Sequence, residues 1–297
     1  MSGEFVEHVD RKCRYTSDIA HRAFGWQQSL PDYRDYLPNS PRVQELLNQL
    51  QQPSSPAPNN VDLREFFPPV SDQRDVNSCA ACACTGLVEY FQRRTLGRTD
   101  RLAPLFLYKA TRKLSGKGGD SGSDLRTTLK AVVHFGVPPL RLSNSDMQGF
   151  DQDPDAHLYS MTNEFRSMTY WRLDARDSPG TQTLARVRSF LAAGFPVVFG
   201  FPVTSLALEN ADILYRPETD PIIGGQAVLA AGYDDRRLNV TRGALLIRNS
   251  WGTSWGKQGY GWLPYEFIVE RLAVDFWTVM RPDWLATGEL HRPRYAG

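Results

Sequence analysis

Helix-like hydrophobic patterns come before strand-like patterns in this sequence, and that order limits the possible folds. Three helices are predicted: one from Cys79 to Gly97 with Asn77 or Ser78 as its cap, one from a Ser123 cap to Gly136, and one from about Thr181 to Ala193. Short β-branched or aromatic stretches then predict strands at 196–201, 227–233, 244–249, 259–263 and 275–280. Helices followed by strands are typical of an α+β protein with two packed lobes.

The proline-rich stretch at residues 52–60 predicts a linker. We therefore interpret residues 1–60 as an N-terminal extension, in which residues 31–36 form no regular structure and the spacing of Val43, Leu46, Leu47 and Leu50 predicts an amphipathic helix. The main domain is predicted at 61–285, with a helical lobe at about 70–175 and a β-rich lobe at about 176–280. Residues 286–297 are then a C-terminal tail.

Composition excludes several classes of function. The 297 residues carry 34 Lys+Arg against 33 Asp+Glu, a net charge of +1, which gives no electrostatic reason to bind nucleic acid or an anionic membrane. The longest apolar stretch, 195–203, is half the length of a membrane helix. We expect a cytoplasmic protein, because no secretory signal is visible and the four cysteines lack the spacing of a disulfide framework.

Three segments stand out chemically. Residues 68–80 end in Cys79, at the first turn of a predicted helix, where the helix dipole favours a thiolate, although a buried helical cysteine is the plainer interpretation. Residues 224–234 read as a glycine turn and a buried strand. Residues 247–261 place Asn-Ser-Trp-Gly-x-x-Trp-Gly after a strand, which is too specific for an ordinary loop.

In this order, the three segments resemble the papain-like cysteine peptidases, and in particular bacterial members that lack the disulfide cysteine upstream of the nucleophile. The resemblance implies a papain-like fold in which a cleft between a helical lobe and a β-barrel-like lobe accepts an extended peptide or acyl chain. It implies that Cys79 is the nucleophile and that Gln73, six positions earlier, is the oxyanion-hole glutamine. Asn249 matches the residue that orients the catalytic imidazole, and Trp251 matches the indole that shields this hydrogen bond.

The resemblance also implies substrate-binding positions. Ser121 and Gly122 match the family's glycine pair, with one glycine replaced, and Gly225 lies beside the catalytic strand position. Cys82 is the alternative nucleophile, but it lies nine positions after Gln73, so Cys82 and Cys84 are interpreted as packing thiols and Cys13 has no assigned role. No cofactor or metal site is expected, because the Cys82-x-Cys84 pair has no second Cys/His pair at ligand spacing.

Gln226 departs from the family pattern, since the general-base histidine of the family stands at this place. A glutamine amide hydrogen-bonds but does not exchange protons near neutral pH. General acid–base catalysis contributes roughly 10²–10⁴ in rate, so efficient amide hydrolysis is not expected, whereas activated acyl groups such as thioesters need no protonated leaving group. Neither His134 nor His157 is expected to replace the missing base, and the remaining histidines, His8, His21 and His291, lie in the extension and the tail.

Three hypotheses follow from Gln226. In the first, the chain is a papain-type hydrolase or acyltransferase that uses Cys79 slowly or on activated substrates. In the second, it is a pseudopeptidase that binds a peptide or protein partner in the cleft. In the third, Gln226 is an introduced replacement of histidine in an ordinary peptidase.

Overall fold

The computed structural model describes residues 22–49, 57–143, 149–160, 165–214, 219–237 and 243–291. The predicted features at Cys13, His8, His21, Leu50 and residues 52–56 lie outside this part. The helices are α1 (Pro41–Asn48), α2 (Cys79–Leu96), α3 (Pro104–Leu114), α4 (Leu125–Phe135), α5 (Ala156–Ser160), α6 (Gly180–Ala192), α7 (Ser205–Glu209), α8 (Glu266–Val269) and α9 (Pro282–Ala286).

The strands are β1 (Trp26–Gln27), β2 (Asn60–Asp62), β3 (Ser123–Asp124), β4 (Thr169–Arg172), β5 (Val197–Thr204), β6 (Ile222–Asp234), β7 (Ala244–Arg248), β8 (Tyr260–Pro264) and β9 (Val274–Met280). Seven of them form an antiparallel sheet in the order β4-β9-β5-β6-β7-β8, with β2 paired to β6. The remaining two, β1 and β3, pair in parallel. The arrangement confirms the predicted α+β, papain-like two-lobe fold.

The helix α2 is the centre of the molecule, because 16 of its 18 residues are buried. Its apolar side chains contact both the other helices and the sheet, so they belong to one continuous core that includes Leu87, Phe91, Phe195 and Trp284. The rings of Phe91 and Trp284 stack with centroids 4.9 Å apart. The helix ends at Gly97, whose left-handed φ of 63° suits glycine.

The predicted helices and strands are all present, with shifted ends. The predicted Ser123 cap of α4 was wrong: the helix begins at Leu125, so Ser123 stands one residue too early, and the N-cap is Asp124, whose carboxylate accepts the Thr127 N–H. Ser78 is the N-cap of α2 but makes no side-chain capping hydrogen bond. Residues 31–36 contain no helix or strand, as expected.

Sequence reasoning missed the short elements β1, β3, α5, α7, α8 and α9, and also three others. The helix α3 was not predicted, and β4, which lies in the range predicted for the helical lobe, pairs with β9 in the sheet. The strand β2 begins at the end of the predicted linker and adds to the sheet against β6. In the described ranges, no helix is long and apolar enough to cross a bilayer.

Candidate active site

Cys79 lies at the first residue of α2, and its side chain is fully buried. The Ala227 N–H at the start of the buried part of β6 donates to its Sγ at 3.5 Å. The backbone N–H of Gly25 also stabilises the charged form of this sulfur. The sulfur thus lies where a helix N-terminus, a strand of the sheet and residues of the N-terminal region meet.

The expected thiolate at Cys79 is not found in this arrangement. Burial raises the pKa of the Cys79 thiol to about 11, although the backbone N–H groups of Ala227 and Gly25 act in the opposite direction. The loss of solvation therefore outweighs the helix terminus and the two N–H donors. Cys79 is a neutral thiol near pH 7 while the site is covered.

Gln73 is fully buried, and both the nitrogen and the oxygen of its side-chain amide make hydrogen bonds. Its Nε2 donates to the carbonyl oxygen of Val76 at 3.0 Å and to that of Ala23 at 3.2 Å. The Ala23 carbonyl is therefore held by the side chain that the resemblance assigns to the oxyanion hole.

Gln226 is fully buried, and its amide nitrogen lies between three acceptors. Nε2 is 2.9 Å from Gln73 Oε1, 3.0 Å from Asn249 Oδ1 and 3.0 Å from Ser250 Oγ. These contacts join Gln226 to the oxyanion-hole candidate on one side and to Asn249 on the other. The amide hydrogen bonds of Gln226 therefore go to its polar neighbours and not to the sulfur of Cys79.

Asn249 and Trp251 follow β7, as the Asn-Ser-Trp-Gly motif requires. Asn249 Oδ1 also accepts the Ser250 N–H at 2.8 Å, while Asn249 Nδ2 and Gln226 Oε1 are buried and have no hydrogen-bond partner among the residues that the structure describes. The Trp251 ring meets the Trp255 ring edge to face at 5.5 Å. The sequence analysis missed Ser250, whose hydroxyl donates to Gln73 Oε1 at 2.5 Å; its position inside the motif was the available signal.

Residues 22–29, which we call the cleft segment, cover this site. Gly25 lies so close to the chain just before α2 that a Cβ on it would be 2.0 Å from the Asn77 carbonyl oxygen. The Gly25 carbonyl accepts the Ser123 N–H at 2.9 Å, and β1 continues the pairing. The cleft segment therefore crosses the sulfur of Cys79 in an extended conformation.

The cleft segment contacts each predicted substrate-binding residue. The Ser121 carbonyl accepts the side-chain amide of Gln27, and a Cβ on Gly122 would be 2.3 Å from the Gly25 carbonyl oxygen. The Trp26 ring lies on Gly225. Near Trp251, the Phe24 ring makes an edge contact at 6.1 Å, and Arg22 donates to the Trp251 carbonyl at 3.1 Å.

Comparison with known proteins identifies the family. The family described as papain family cysteine protease matches residues 57–267. The chain belongs to this family. It is 29% identical over 286 residues to an uncharacterized peptidase C1-like protein of Acanthamoeba polyphaga mimivirus, covering 89% of this chain and 88% of that protein. It is 27% identical to procathepsin L of Felis catus over 68% of this chain and 59% of that protein.

Solved structures agree with the papain-family assignment. Xylellain, a cysteine protease from Xylella fastidiosa, matches 88% of this chain and 97% of its own with a TM-score of 0.71 and 26% identity. The digestive procathepsin L2 proteinase of Tenebrio molitor matches with a TM-score of 0.63 at 17% identity, which shows a shared fold. This chain is thus a cysteine-peptidase-type protein of the papain family.

Two histidines and two further cysteines that the sequence analysis considered have described side chains. His134 and His157 are exposed on α4 and α5, whereas Cys79 is fully buried. Burial raises the pKa of Cys82 to about 12 and that of Cys84 well above its ordinary value, so both are neutral thiols. No group of His, Cys, Asp and Glu in the described ranges is arranged to hold a metal ion.

A polar contact that sequence reasoning missed joins the start of α2 to the substrate-binding loop. The Asp120 carboxylate accepts the Asn77 N–H at 3.1 Å and the Tyr108 hydroxyl at 2.6 Å. The Tyr108 hydroxyl in turn accepts the Gly122 N–H at 3.0 Å. Asp120 therefore fixes the loop at Gly122 relative to the residue two positions before Cys79.

Proposed function

We propose that this chain is a papain-family hydrolase or acyltransferase in which Cys79 acts on peptide or acyl substrates, with impaired proteolysis because Gln226 replaces the general-base histidine. One observation carries the proposal: Gln73 Nε2 already binds a carbonyl oxygen, that of Ala23, while the Gly25 N–H contacts Cys79. A substrate carbonyl in the place of the Ala23 carbonyl would accept a hydrogen bond from the Gln73 amide, the oxyanion donor, and would be available to the nucleophile Cys79.

The reactions open to this site are limited by whether the leaving group must be protonated. A Cys79 thiolate that attacks a thioester forms a new thioester at Sγ and releases a thiolate, which leaves without a proton. An amide releases an amine that must be protonated, and the Gln226 amide carries no titratable proton. Water or a second nucleophile then takes the acyl group from Cys79. Thioesters are therefore the substrates on which this site works best.

A specific observation favours binding without turnover as the second candidate. The Gln226 amide nitrogen lies within hydrogen-bond distance of acceptors on Gln73, Asn249 and Ser250, and no titratable side chain among the described residues hydrogen-bonds to Cys79 Sγ. The cleft holds an extended segment of the chain itself. A pseudopeptidase that binds a peptide partner needs no more than this.

Acylation by a thioester separates the two candidates. The full chain, mixed with a peptidyl thioester of glycine, is expected to gain one acyl group on Cys79, detected by peptide mapping with mass spectrometry. The Cys79→Ser chain is the matched control and remains unmodified. Absence of any adduct on Cys79, together with peptide binding that persists in Cys79→Ala, supports the pseudopeptidase and contradicts the hydrolase.

A further inference from the structure

Cys82 lies three residues after Cys79 in α2, and the proposed acyl chemistry does not use it. Among the described residues, the continuous apolar core includes Cys79 and Cys84 but not Cys82. Cys82 instead lines a small cavity together with Ser250. The Ser78 hydroxyl lies 4.0 Å from the Cys82 sulfur. Apolar packing therefore does not account for a thiol at this position.

The helix holds Cys79 and Cys82 close to the spacing of a disulfide. They are the first and fourth residues of α2, so their Cα atoms lie about 5 Å apart, within the range of about 4.4–6.8 Å that disulfides span. Their Cβ atoms are about 5–6 Å apart in a regular helix, whereas a disulfide needs about 3.5–4.5 Å. A shift of about 1–2 Å at one end of this turn is therefore enough to join the two sulfurs.

The start of α2 is the end that can make this shift. As the first helical residue, Cys79 has an N–H group with no acceptor inside the helix, whereas the Cys82 N–H donates to the Ser78 carbonyl at 3.0 Å. Ala227 donates its N–H to Cys79 Sγ and also lines the cavity beside Cys82, so both cysteines adjoin the same residue of β6. Cys84, five residues after Cys79, lies about 140° further around the helix and is not placed to reach it.

We propose that Cys79 and Cys82 form a reversible disulfide, which withdraws the nucleophile from acyl chemistry and protects it from irreversible oxidation. The disulfide itself follows from the geometry of α2, whereas its effect on acyl transfer rests on the proposed function. Cysteines that are reversibly oxidised commonly stand next to a second thiol that resolves the first oxidation product. Cys82 has this role toward Cys79.

The oxidant is a hydroperoxide. The Cys79 sulfur attacks one peroxide oxygen, the O–O bond breaks, and the other oxygen leaves with the Cys79 proton, which gives a sulfenic acid on Cys79. The Cys82 sulfur then attacks the Cys79 sulfur, the S–O bond breaks, and the hydroxyl group leaves with the Cys82 proton as water. The two thiols together lose two electrons, and the peroxide gains them. A small thiol reverses the change by thiol–disulfide exchange.

The test follows the three cysteines of α2 in one tryptic peptide, residues 75–93, of the full chain. The chain is treated with hydrogen peroxide, its free thiols are trapped with N-ethylmaleimide as it is unfolded, and the peptide is sequenced by tandem mass spectrometry. We expect a peptide that has lost two hydrogen atoms and carries the maleimide adduct on Cys84 alone. Dithiothreitol before trapping is expected to restore adducts on all three cysteines. A peptide in which Cys79 is oxidised while Cys82 carries the adduct overturns the inference, with no substitution required.

Cys82→Ser and Cys84→Ser form a matched pair, because each removes one buried thiol from α2. After peroxide and then dithiothreitol, Cys84→Ser is expected to regain acylation of Cys79 by the peptidyl thioester. Cys82→Ser is expected to lose that acylation permanently, with sulfinic or sulfonic acid on Cys79. Equal recovery in the two variants overturns the protective role of Cys82. A parent chain that forms the disulfide but whose reduced form is never acylated by the thioester supports the disulfide and overturns the proposed function alone.

Discussion

The first and second turns of α2 both carry buried cysteines, but the surroundings of the sulfur atoms differ. Cys79 Sγ accepts the Ala227 N–H and interacts with the Gly25 N–H, two residues along the chain from the Ala23 carbonyl that the Gln73 amide binds. Cys82 has a long contact of 4.0 Å with the Ser78 hydroxyl, and Cys84 is packed into the core. Burial raises the pKa of all three thiols. A nucleophile is therefore recognised here by the donors aimed at it and not by exposure.

The largest expected effect, on the rate of peptide hydrolysis, comes from placing a general base near Cys79 in the first turn of α2. Gln226→His is expected to raise the rate of peptide hydrolysis by about 10²–10⁴-fold, because the imidazole takes the Cys79 proton and returns it to the leaving amine. Asn249 Oδ1, 3.0 Å from the Gln226 amide nitrogen, is placed to accept an imidazole N–H. The measurement is kcat/KM on a fluorogenic peptide library.

Gln226→Asn is the matched control for this change, since it alters the side chain without adding a titratable group. The double variant Gln226→His, Cys79→Ala is expected to be inactive. A histidine variant that stays folded, binds peptide and still cleaves nothing contradicts the assignment of Gln226 to the general-base position.

The sequence predicted the parts of this site that lie inside short motifs. Cys79 and Asn249 lie at the ends of elements that the sequence predicted, because a helix start and a strand end are local features with clear signals. The cover over Cys79 was not predicted, since β1 is two residues long and pairs with Ser123, 97 residues away. The prediction of a thiolate at Cys79 was wrong for the same reason. Gly25 buries Cys79 through a tertiary contact, which no local sequence pattern predicts.

The pH dependence of the free energy of unfolding gives a second test of how the cysteines in the two turns of α2 differ. The pKa of Cys79 rises on folding from about 9 to about 11, so its contribution to stability is complete below pH 9 and is lost as pH rises through 11. Between pH 8 and 10.5 this loss is about 2 kcal/mol.

Cys79→Ser removes this titration, so its free energy of unfolding in urea is expected to fall less over the same interval than that of the parent chain. The contributions of lysines and tyrosines to the free energy of unfolding are common to both proteins, so they cancel in the difference. In the Trp26→Ala background, which removes the ring that holds the cleft segment on Gly200 and Gly225, the difference is expected to shrink, whereas the corresponding Cys82→Ser difference persists. An unchanged Cys79 difference in that background contradicts the role of the cleft segment in raising the pKa.

The smallest expected effect, on the free energy of unfolding, concerns the hydrogen bonds that fix the first turn of α2. Asp120 ties Asn77 to Tyr108 and so to Gly122, whereas the second turn is fixed by apolar packing. Asp120→Ala removes these acceptors and is expected to lower the free energy of unfolding by about 1–2 kcal/mol. Hydrogen exchange is expected to quicken at the amides of Asn77 and Gly122, while those of the second turn, at Ala83 and Cys84, keep their protection. Asp120→Asn, which retains one acceptor oxygen, is expected to recover part of the loss.

Asp100→Ala, at an exposed carboxylate 3.7 Å from Arg141, controls for the loss of surface charge. Equal acceleration in both turns of α2 means that Asp120 supports the whole helix and not its catalytic end.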